Sequence, residues 1–250
     1  MSVSRVLTAN GEVYYVLSPR NTVHSKAILW HHGAGGETLL YSPEFGQIQG
    51  RALMEMLVEA GYCIVSADYG GSQTWGNTAN QAKITAAVDW LPAIGCRTDK
   101  VAFWGTSMGF TCVAKWVATH PTKVAALVGT IPCADAAWVY ANSNGNPTLA
   151  TAMDAAYSPG SWASAAASTN PSSSAIYMPI ATNHILTSLW YSSDDLTIGS
   201  TTAPNFANLV NSNGGSATAT SMGTGGHTDS PLAAINRNAF ALAFHNGNWA

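Results

Sequence analysis

A serine lies between two glycines in a setting that suits a nucleophile. Residues 105–109 are Gly-Thr-Ser-Met-Gly; they follow a short apolar run and precede a segment with helical spacing. A chain that turns from strand to helix within a few residues forces the central residue into a strained conformation, and side chains two positions to either side would collide. The hydroxyl of Ser107 would then stand at the carboxyl edge of a sheet, above a helix N-terminus that favours a developing negative charge. This pattern predicts nucleophilic chemistry at Ser107; the alternative is a glycine-rich turn with an incidental serine.

A second glycine-rich segment could supply hydrogen-bond donors. Residues 31–36 are His-His-Gly-Ala-Gly-Gly and follow the apolar run 27–30. Attack of a serine on an acyl group produces a tetrahedral oxyanion, which needs two backbone N–H donors to hold it. Glycines let the backbone come close enough to provide them. The alternative, a loop that cradles phosphate, is disfavoured because the segment has neither a Walker lysine nor the G-x-G-x-x-G spacing.

One histidine stands out as a candidate general base, the group that takes the serine proton and returns it to the leaving group. His227 belongs to the segment Gly-Thr-Gly-Gly-His-Thr, whose glycines would let the ring reach over a neighbouring residue. It also follows the last strand signal and precedes the last helical segment. His184, just before a strand, is ambiguous. The histidines with ordinary surface or helix-end positions are His24, His120 and His245.

Strands and helices must alternate to position these residues. Apolar runs predict strands at 27–30, 63–67, 101–104, 124–129, 185–191 and 217–221. Helical spacing predicts helices at 45–60, 81–94, 108–119, 203–210 and 231–244. Asn10-Gly11 between two β-rich runs predicts a hairpin. The alternation predicts one α/β domain over residues 1–250, with a mostly parallel central sheet and helices on both faces.

These motifs and their order resemble the α/β-hydrolase superfamily, particularly its esterase and lipase-like members, over about residues 10–245. In that superfamily the chain order is serine, then acid, then histidine. The resemblance therefore implies a catalytic triad of Ser107 and His227 with an aspartate after the strand at 185–191.

Two adjacent aspartates qualify as the triad acid. Asp195, followed by Leu-Thr-Ile, matches the register of the superfamily better than Asp194, so we expect Asp195 to be the acid. Asp194 is then expected to be solvated or to cap the following turn. Asp229, close to His227 in sequence, is assigned to the N-cap region of the last helix instead.

The resemblance also implies the other parts of the site. It assigns the oxyanion donors to the N–H groups of Met108 and Ala34, with Gly35 replacing Ala34 if the register differs. His32 is expected to brace the glycine-rich segment 31–36, which we call the glycine loop. Tyr69 lies in a turn that resembles a structural turn common in these hydrolases and is a candidate for the pocket lining, as is Gly35.

Residues 136–184 interrupt the alternation, and an irregular cap or lid insertion is expected there. The stretch contains one charged residue, Asp154, and several aromatic residues, of which Trp138 and Trp162 are pocket candidates. Aromatic rings among small polar side chains suit an uncharged acyl chain or a sugar face. The alternative is a solvated loop whose aromatic side chains only fix it to the core.

Composition limits the other classes of function. Only 9% of residues are charged, the net charge is -3, and residues 124–236 contain no lysine or arginine, so no nucleic-acid partner is expected. No apolar run is long enough for a membrane span, and the N-terminus lacks the features of a signal peptide. A cytoplasmic or virion-associated protein is therefore expected rather than a classically secreted one. So few charges also fit a homo-oligomer or a subunit of a larger assembly.

The four cysteines show no C-x-x-C spacing, which argues against a zinc or redox site. No cluster of histidines or carboxylates has metal-ligand spacing either, so we expect no metal, and we expect no cofactor. Buried free thiols are expected, with one disulfide left open. The leading hypothesis is a carboxylic ester hydrolase acting on a small-molecule or polymer ester through an acyl-enzyme. The alternatives are an envelope- or polymer-degrading esterase within an assembly such as a phage particle, and a non-catalytic binding or structural protein on a hydrolase scaffold.

Overall fold

The computed structural model describes residues 2–9, 11–19, 25–35, 48–97, 99–142 and 147–249. Within these residues, eight strands form one sheet in the order β1-β2-β4-β3-β5-β6-β7-β8. The strands are β1 (Ser2–Ala9), β2 (Glu12–Pro19), β3 (Ala27–His31), β4 (Cys63–Ser66), β5 (Val101–Thr106), β6 (Val124–Thr130), β7 (Leu186–Tyr191) and β8 (Ala217–Ser221). Strand β2 runs antiparallel to β1 and β4, and the other neighbouring pairs are parallel.

Helices connect the parallel strands. They are α1 (Ile48–Glu59), α2 (Thr78–Trp90), α3 (Met108–Thr119), α4 (Ala136–Asn142), α5 (Pro147–Ala156), α6 (Trp162–Ala165), α7 (Ser174–Thr182), α8 (Thr202–Ser212) and α9 (Arg237–His245). Short 3₁₀ turns occupy Leu91–Ile94, Pro121–Lys123, Ala166–Ser168 and Ser230–Ala234. The predicted mostly parallel sheet is confirmed, and the helix after Ser107 has the predicted bounds. Part of the predicted helix 45–60, residues 45–47, lies outside the described residues.

The sheet separates two hydrophobic cores because successive side chains of a strand point to opposite faces. Along β3, Ala27 and Leu29 pack into the core shared with α2, α3, α7 and α8. Ile28 and Trp30 pack into the other core, with α1 and α9. Full burial of one such aliphatic side chain is worth about 1.5–3 kcal/mol. The central strands are therefore held from both faces, which keeps the carboxyl edge of the sheet fixed.

The predicted N-terminal hairpin is present. Ala9 of β1 lies opposite Glu12 of β2 in the antiparallel register. Gly11 in the turn has a φ of 71°, a value that glycine adopts without steric cost. Asn10 lies outside the described residues.

The C-terminal segment differs from its prediction as one helix over 231–244. A 3₁₀ turn at Ser230–Ala234 is separated from α9 by extended backbone at Ile235 and Asn236. The side chain of Asn236 accepts a hydrogen bond of 3.1 Å from the Ala239 N–H, so α9 has its own N-cap. Asn236 rather than Asp229 therefore caps the last helix.

Asp229 caps a different helix, so its assignment to the last helix is wrong. Its carboxylate accepts hydrogen bonds from the backbone N–H groups of Gln49 (2.8 Å) and Gly50 (3.1 Å), in the first turn of α1. A carboxylate there satisfies free helical N–H groups and interacts favourably with the helix dipole. The contact joins segments about 180 residues apart in sequence.

The expectation of an irregular stretch at 136–184 is also wrong. Helices α4 to α7 lie there, between β6 and β7. The four cysteines are buried and unpaired, as expected for free thiols. No helix in the described ranges has both the length and the apolar character needed to cross a membrane.

Candidate active site

Ser107 occupies a strained position between β5 and α3. Its φ and ψ are 52° and -124°, a conformation that costs a residue with a Cβ on the order of 1–3 kcal/mol. Hydrogen bonds hold it there: its N–H donates to the carbonyl of Thr130 (3.2 Å), and its carbonyl accepts from the N–H groups of Phe110 and Cys133 (both 3.0 Å). The hydroxyl is thereby presented at the carboxyl edge of the sheet.

The two glycines of the motif are required by different neighbours. A Cβ on Gly105 would lie 2.4 Å from the backbone of Phe110, inside the turn itself. A Cβ on Gly109 would lie 2.3 Å from the carbonyl oxygen of His31, at the end of β3. Gly109 therefore lets α3 approach the glycine loop. In that loop, a Cβ on Gly33 would come within 3.1 Å of the Cβ of Ser107.

A continuous hydrogen-bonded relay runs from Ser107 to a buried carboxylate. The Oγ of Ser107 lies 2.7 Å from Nε2 of His227, and Nδ1 of His227 lies 2.7 Å from Oδ2 of Asp195. Asp195 is 1% exposed, and its Oδ1 accepts hydrogen bonds from the N–H groups of Thr197 (3.0 Å) and Ile198 (3.2 Å). A carboxylate at Nδ1 fixes the tautomer in which Nε2 is free to accept the serine proton.

Asp194 has a separate task that its sequence position does not reveal. Its Oδ1 accepts hydrogen bonds from the hydroxyl of Ser192 (2.6 Å) and from the N–H groups of Gly225 (2.9 Å) and Gly226 (2.8 Å). These hydrogen bonds lower the pKa of Asp194 to about 2, with the largest contribution from Ser192 and smaller ones from Gly226 and Gly225. Asp194 is exposed, as the sequence predicts, but its carboxylate does not cap the following turn. It tethers the loop that carries His227.

The glycine loop distinguishes between the two candidate oxyanion donors. The N–H of Gly35 donates to the carbonyl of Ser72 at 2.9 Å and is thus already engaged. In the part of the chain that the structure describes, no backbone carbonyl accepts from the N–H of Ala34. Met108 is the first residue of α3, so its N–H has no helical partner. The geometry favours Ala34 over Gly35; Gly36 lies outside the described residues.

Beneath this loop, His31 is held in its neutral form. Its Nε2 lies 2.8 Å from Nδ2 of Asn80, an amide nitrogen that also donates to the carbonyl of Tyr69 (2.9 Å). Nε2 is therefore an acceptor, and the ring proton is on Nδ1, which donates to the carbonyl of His32 (3.0 Å). Burial, and then the neighbouring His32, hold the pKa of His31 well below its usual range. Sequence analysis did not identify Asn80, whose role depends on contacts with distant residues.

Two residues expected to line the pocket do not reach it. Tyr69 is completely buried and stacks on His31 with a ring-centroid distance of 4.8 Å. Trp162 is 1% exposed and packs edge to face against Tyr157 (5.5 Å). Both side chains support the structure from within, so the expectation that they contact substrate is wrong.

Trp138 and Gly35 keep exposed surface. The indole of Trp138 lies 3.0 Å from the position that a Cβ on Gly199 would take, in the loop that follows Asp195. Elsewhere in residues 136–184, the hydroxyl of Tyr157 donates to the carbonyl of Trp75 at 2.8 Å. The helices between β6 and β7 therefore contact the segments before α2 and after β7.

The comparisons with known proteins concern the fold. No family model and no curated protein sequence matches the chain. It superposes on carboxyl esterase 2 (TmelEST2) from the fungus Tuber melanosporum with a TM-score of 0.69 and 16% identity, covering 98% of this chain and 87% of that one. For fluorophosphonate-binding serine hydrolase F of Staphylococcus aureus the values are 0.70 and 13%, covering 98% of both chains.

A third similar structure is an acylaminoacyl peptidase in complex with a chloromethyl ketone. Its TM-score is 0.73 and its identity 14%; the superposition covers 98% of this chain but 41% of the peptidase chain. This chain thus corresponds to part of that protein. The strand order, the relay at the carboxyl edge of the sheet and these superpositions agree: the chain has the α/β-hydrolase fold.

Proposed function

We propose that the protein is a serine hydrolase that cleaves carboxylic esters through a covalent acyl-enzyme on Ser107. The observation that carries this proposal is the pair of 2.7 Å contacts that connects Ser107 to His227 and His227 to Asp195. A hydroxyl against the free nitrogen of an imidazole, whose other nitrogen is bound by a buried carboxylate, is activated as a nucleophile. Ligand binding alone would require neither this arrangement nor a strained serine.

In the acylation step, Oγ of Ser107 forms a bond to the ester carbonyl carbon while its proton moves to Nε2 of His227. Asp195 stabilises the resulting imidazolium. The N–H groups of Met108 and Ala34 hold the oxyanion, and loss of one such donor typically costs about 10²–10³-fold in kcat. The C–O bond to the leaving group then breaks, His227 returns the proton to the departing alcohol, and the acyl group remains on Ser107.

Deacylation repeats the sequence with water. His227 takes a proton from the water as its oxygen bonds to the acyl carbon, and the oxyanion forms at the same two N–H groups. When the tetrahedral intermediate collapses, the proton returns to Oγ of Ser107 and the carboxylic acid is released. The strained backbone of Ser107 keeps Oγ at the same point through both halves of the reaction.

The helices within residues 136–184 are proposed as a cap that shapes the acyl pocket of a single-domain enzyme. Trp138 supports this because it contacts Gly199, four residues after Asp195. The hydrogen bond from Tyr157 to Trp75 supports it too, because it joins this stretch to the segment before α2. A stretch with one carboxylate and no lysine or arginine suits an uncharged acyl chain.

Steady-state kinetics on three substrate classes tests the proposal. The substrates are p-nitrophenyl esters of increasing acyl length, an N-acylated peptide p-nitroanilide and an insoluble polyester, with Ser107→Ala as the matched control. We expect turnover of the soluble esters that the Ser107→Ala variant lacks. Preference for the anilide would show a peptidase, and preference for the polymer would show a polymer esterase. Equal rates for the wild type and the control would overturn the proposal.

A further inference from the structure

The side chain of Gln73, in the segment after β4, faces the glycine loop in a fixed orientation. Its Oε1 accepts a hydrogen bond of 3.0 Å from the indole N–H of Trp75. An indole nitrogen only donates, so the oxygen of the Gln73 amide is the atom that faces Trp75. The other end of the amide, Nε2, lies 4.0 Å from the position that a Cβ on Gly35 would take. Gln73 therefore presents its N–H donors to the glycine loop.

Trp75 is a firm support for this orientation. It is 2% exposed, and its φ of 48° lies in the left-handed region that few residues other than glycine adopt. Its carbonyl accepts the hydrogen bond of 2.8 Å from the hydroxyl of Tyr157, so residues 136–184 also hold it in place. A side chain that is held before a ligand arrives loses little conformational freedom when the ligand binds.

The surroundings of Gln73 suit a neutral hydrogen-bond acceptor. Among the described residues, no atom accepts a hydrogen bond from its Nε2, and both Gln73 and Gly35 keep exposed surface. Residues 69–82 contain no charged side chain. An ionised ligand group would lose its hydration there without meeting an opposite charge, which is unfavourable. An ether, hydroxyl or carbonyl oxygen needs only the donor that the amide offers.

The order of the strands indicates which part of an ester would meet Gln73. Gln73 follows β4, whereas His227 follows β8, on the other side of β5 and Ser107. The leaving-group oxygen must face His227 to receive its proton. The acyl chain starts from the same carbon and extends away from that oxygen. Gly35, next to Gln73, directly follows Ala34, the proposed oxyanion donor, so the first atoms of the acyl chain would lie nearest to Gln73.

We propose that Gln73 is a specificity-determining residue that donates a hydrogen bond to a neutral oxygen in the acyl group. The preferred substrates are then esters of alkoxy, hydroxy or oxo acids rather than of plain fatty acids. This inference rests on the proposed function, because an acyl group is bound at this site only if Ser107 cleaves esters. A chain of carbon alone would displace water from the Gln73 amide and leave its N–H groups without an acceptor, which is unfavourable.

Two matched pairs of p-nitrophenyl esters test the proposal. The methoxyacetate and the butyrate differ at one position, where an ether oxygen replaces a methylene group. The 3-methoxypropionate and the pentanoate differ in the same way, one atom further along the chain. The quantity to compare is the ratio of kcat/KM for the ether ester to kcat/KM for its hydrocarbon partner. Comparing this ratio between wild type and a variant cancels the difference in chemical reactivity of the two esters.

Two variants separate the donor from the support that Gln73 gives to Trp75. Gln73→Met keeps the length of the side chain and removes both polar atoms, whereas Gln73→Glu keeps an acceptor for Trp75 and removes the donor. In at least one pair we expect the ratio to fall about three- to tenfold in Gln73→Met, the usual worth of one neutral hydrogen bond. It should fall at least as far in Gln73→Glu, because a carboxylate repels an ether oxygen.

A residue that only supports Trp75 would behave differently. Its loss would lower kcat/KM equally for both members of a pair, and the ratio would stay at the wild-type value. An unchanged ratio in both pairs, in either folded variant, would overturn the proposal; Gln73→Glu retains the hydrogen bond to Trp75 and decides if Gln73→Met does not fold. The proposed function would fail separately, if Ser107→Ala hydrolysed these esters as fast as the wild type.

Discussion

The carboxylate of Asp194 accepts a hydrogen bond of 2.8 Å from the backbone N–H of Gly226, the residue that directly precedes His227. The next aspartate, Asp195, contacts the His227 ring itself at 2.7 Å. Two adjacent carboxylates thus hold the same histidine in different ways, Asp194 through its loop and Asp195 through its ring. This division gives different expectations for two otherwise similar substitutions.

Asp195→Asn should cost far more activity than Asp194→Asn. An asparagine at position 195 no longer stabilises the charged imidazole and can favour the wrong tautomer, which lowers kcat by roughly 10⁴-fold. An asparagine at position 194 keeps an acceptor oxygen for the N–H groups of the loop that carries His227, so we expect kcat to fall by about tenfold or less. Measurements of kcat for both variants under the same conditions test this expectation. A larger loss for Asp194→Asn would contradict the assignment of Asp195 as the acid that acts on His227.

The lowered pKa of Asp194 predicts how stability changes in acid. Its folded-state pKa of about 2 lies below the usual 3.8, so the ionised carboxylate stabilises the fold above that usual value. The contribution is lost as the pH falls toward 2. The Tm difference between wild type and Asp194→Asn should be constant above about pH 5 and shrink between about pH 4 and pH 2. A Tm difference that does not change over this range would contradict the hydrogen-bond network.

Gly33→Ala and Gly109→Ala should fail in different ways. A Cβ at position 33 would sit 3.7 Å from Oγ of Ser107, so we expect a folded protein whose kcat/KM falls by on the order of 10–100-fold through a displaced nucleophile. A Cβ at position 109 would sit 2.3 Å from the carbonyl oxygen of His31, so that variant should lose several kcal/mol of stability. Tm and kcat/KM for both variants provide the check. A Gly109→Ala variant with wild-type Tm would be inconsistent with the close approach of α3 to β3.

The two tryptophans of the proposed cap should separate stability from specificity. Trp162 is 1% exposed, so Trp162→Ala should destabilise the fold by about 3–5 kcal/mol. Trp138 is half-buried against Gly199, so Trp138→Ala should cost less stability and change the ratio of kcat/KM for short and long p-nitrophenyl esters. The free energy of unfolding in denaturant and the ratio of kcat/KM values, measured for both variants and the wild type, test these expectations. An unchanged ratio in Trp138→Ala would contradict the proposal that Trp138 lines the acyl pocket.

The sheet and the helix after Ser107 were predictable because their signals are local. A continuous apolar strand and the glycines at positions 105 and 109 mark the strand-to-helix turn within a few residues of sequence, even though Thr130 and His31 also contact it. Helices α4 to α7 were missed because each spans ten residues or fewer and lies among serine-, asparagine- and proline-containing connections. Their ends are instead fixed by tertiary contacts, such as the hydrogen bond from the Ala136 N–H to Asn170 (2.8 Å).

The expectations that proved wrong in and near the site concerned the direction of a side chain and the contacts between residues distant in sequence. Tyr69 was placed near the site by its position in the turn, but it has a φ of 49° and its ring turns inward onto His31. Asp229 was assigned to the nearest helix, whereas its partners are in α1. The spacing of residues in the sequence predicts which residues follow a strand. It does not predict the direction in which a turn points a side chain.

The most direct test of the account is to map covalent labelling by a fluorophosphonate probe. The probe phosphonylates a serine only when a base removes its proton and an oxyanion hole receives the phosphoryl oxygen. We predict one equivalent of label, located on Ser107 by peptide mass spectrometry, and a large loss of labelling rate in His227→Ala. Absence of label from Ser107 in the folded wild-type protein, or labelling that is unaffected in His227→Ala, would contradict the assignment of Ser107 as a nucleophile activated by His227.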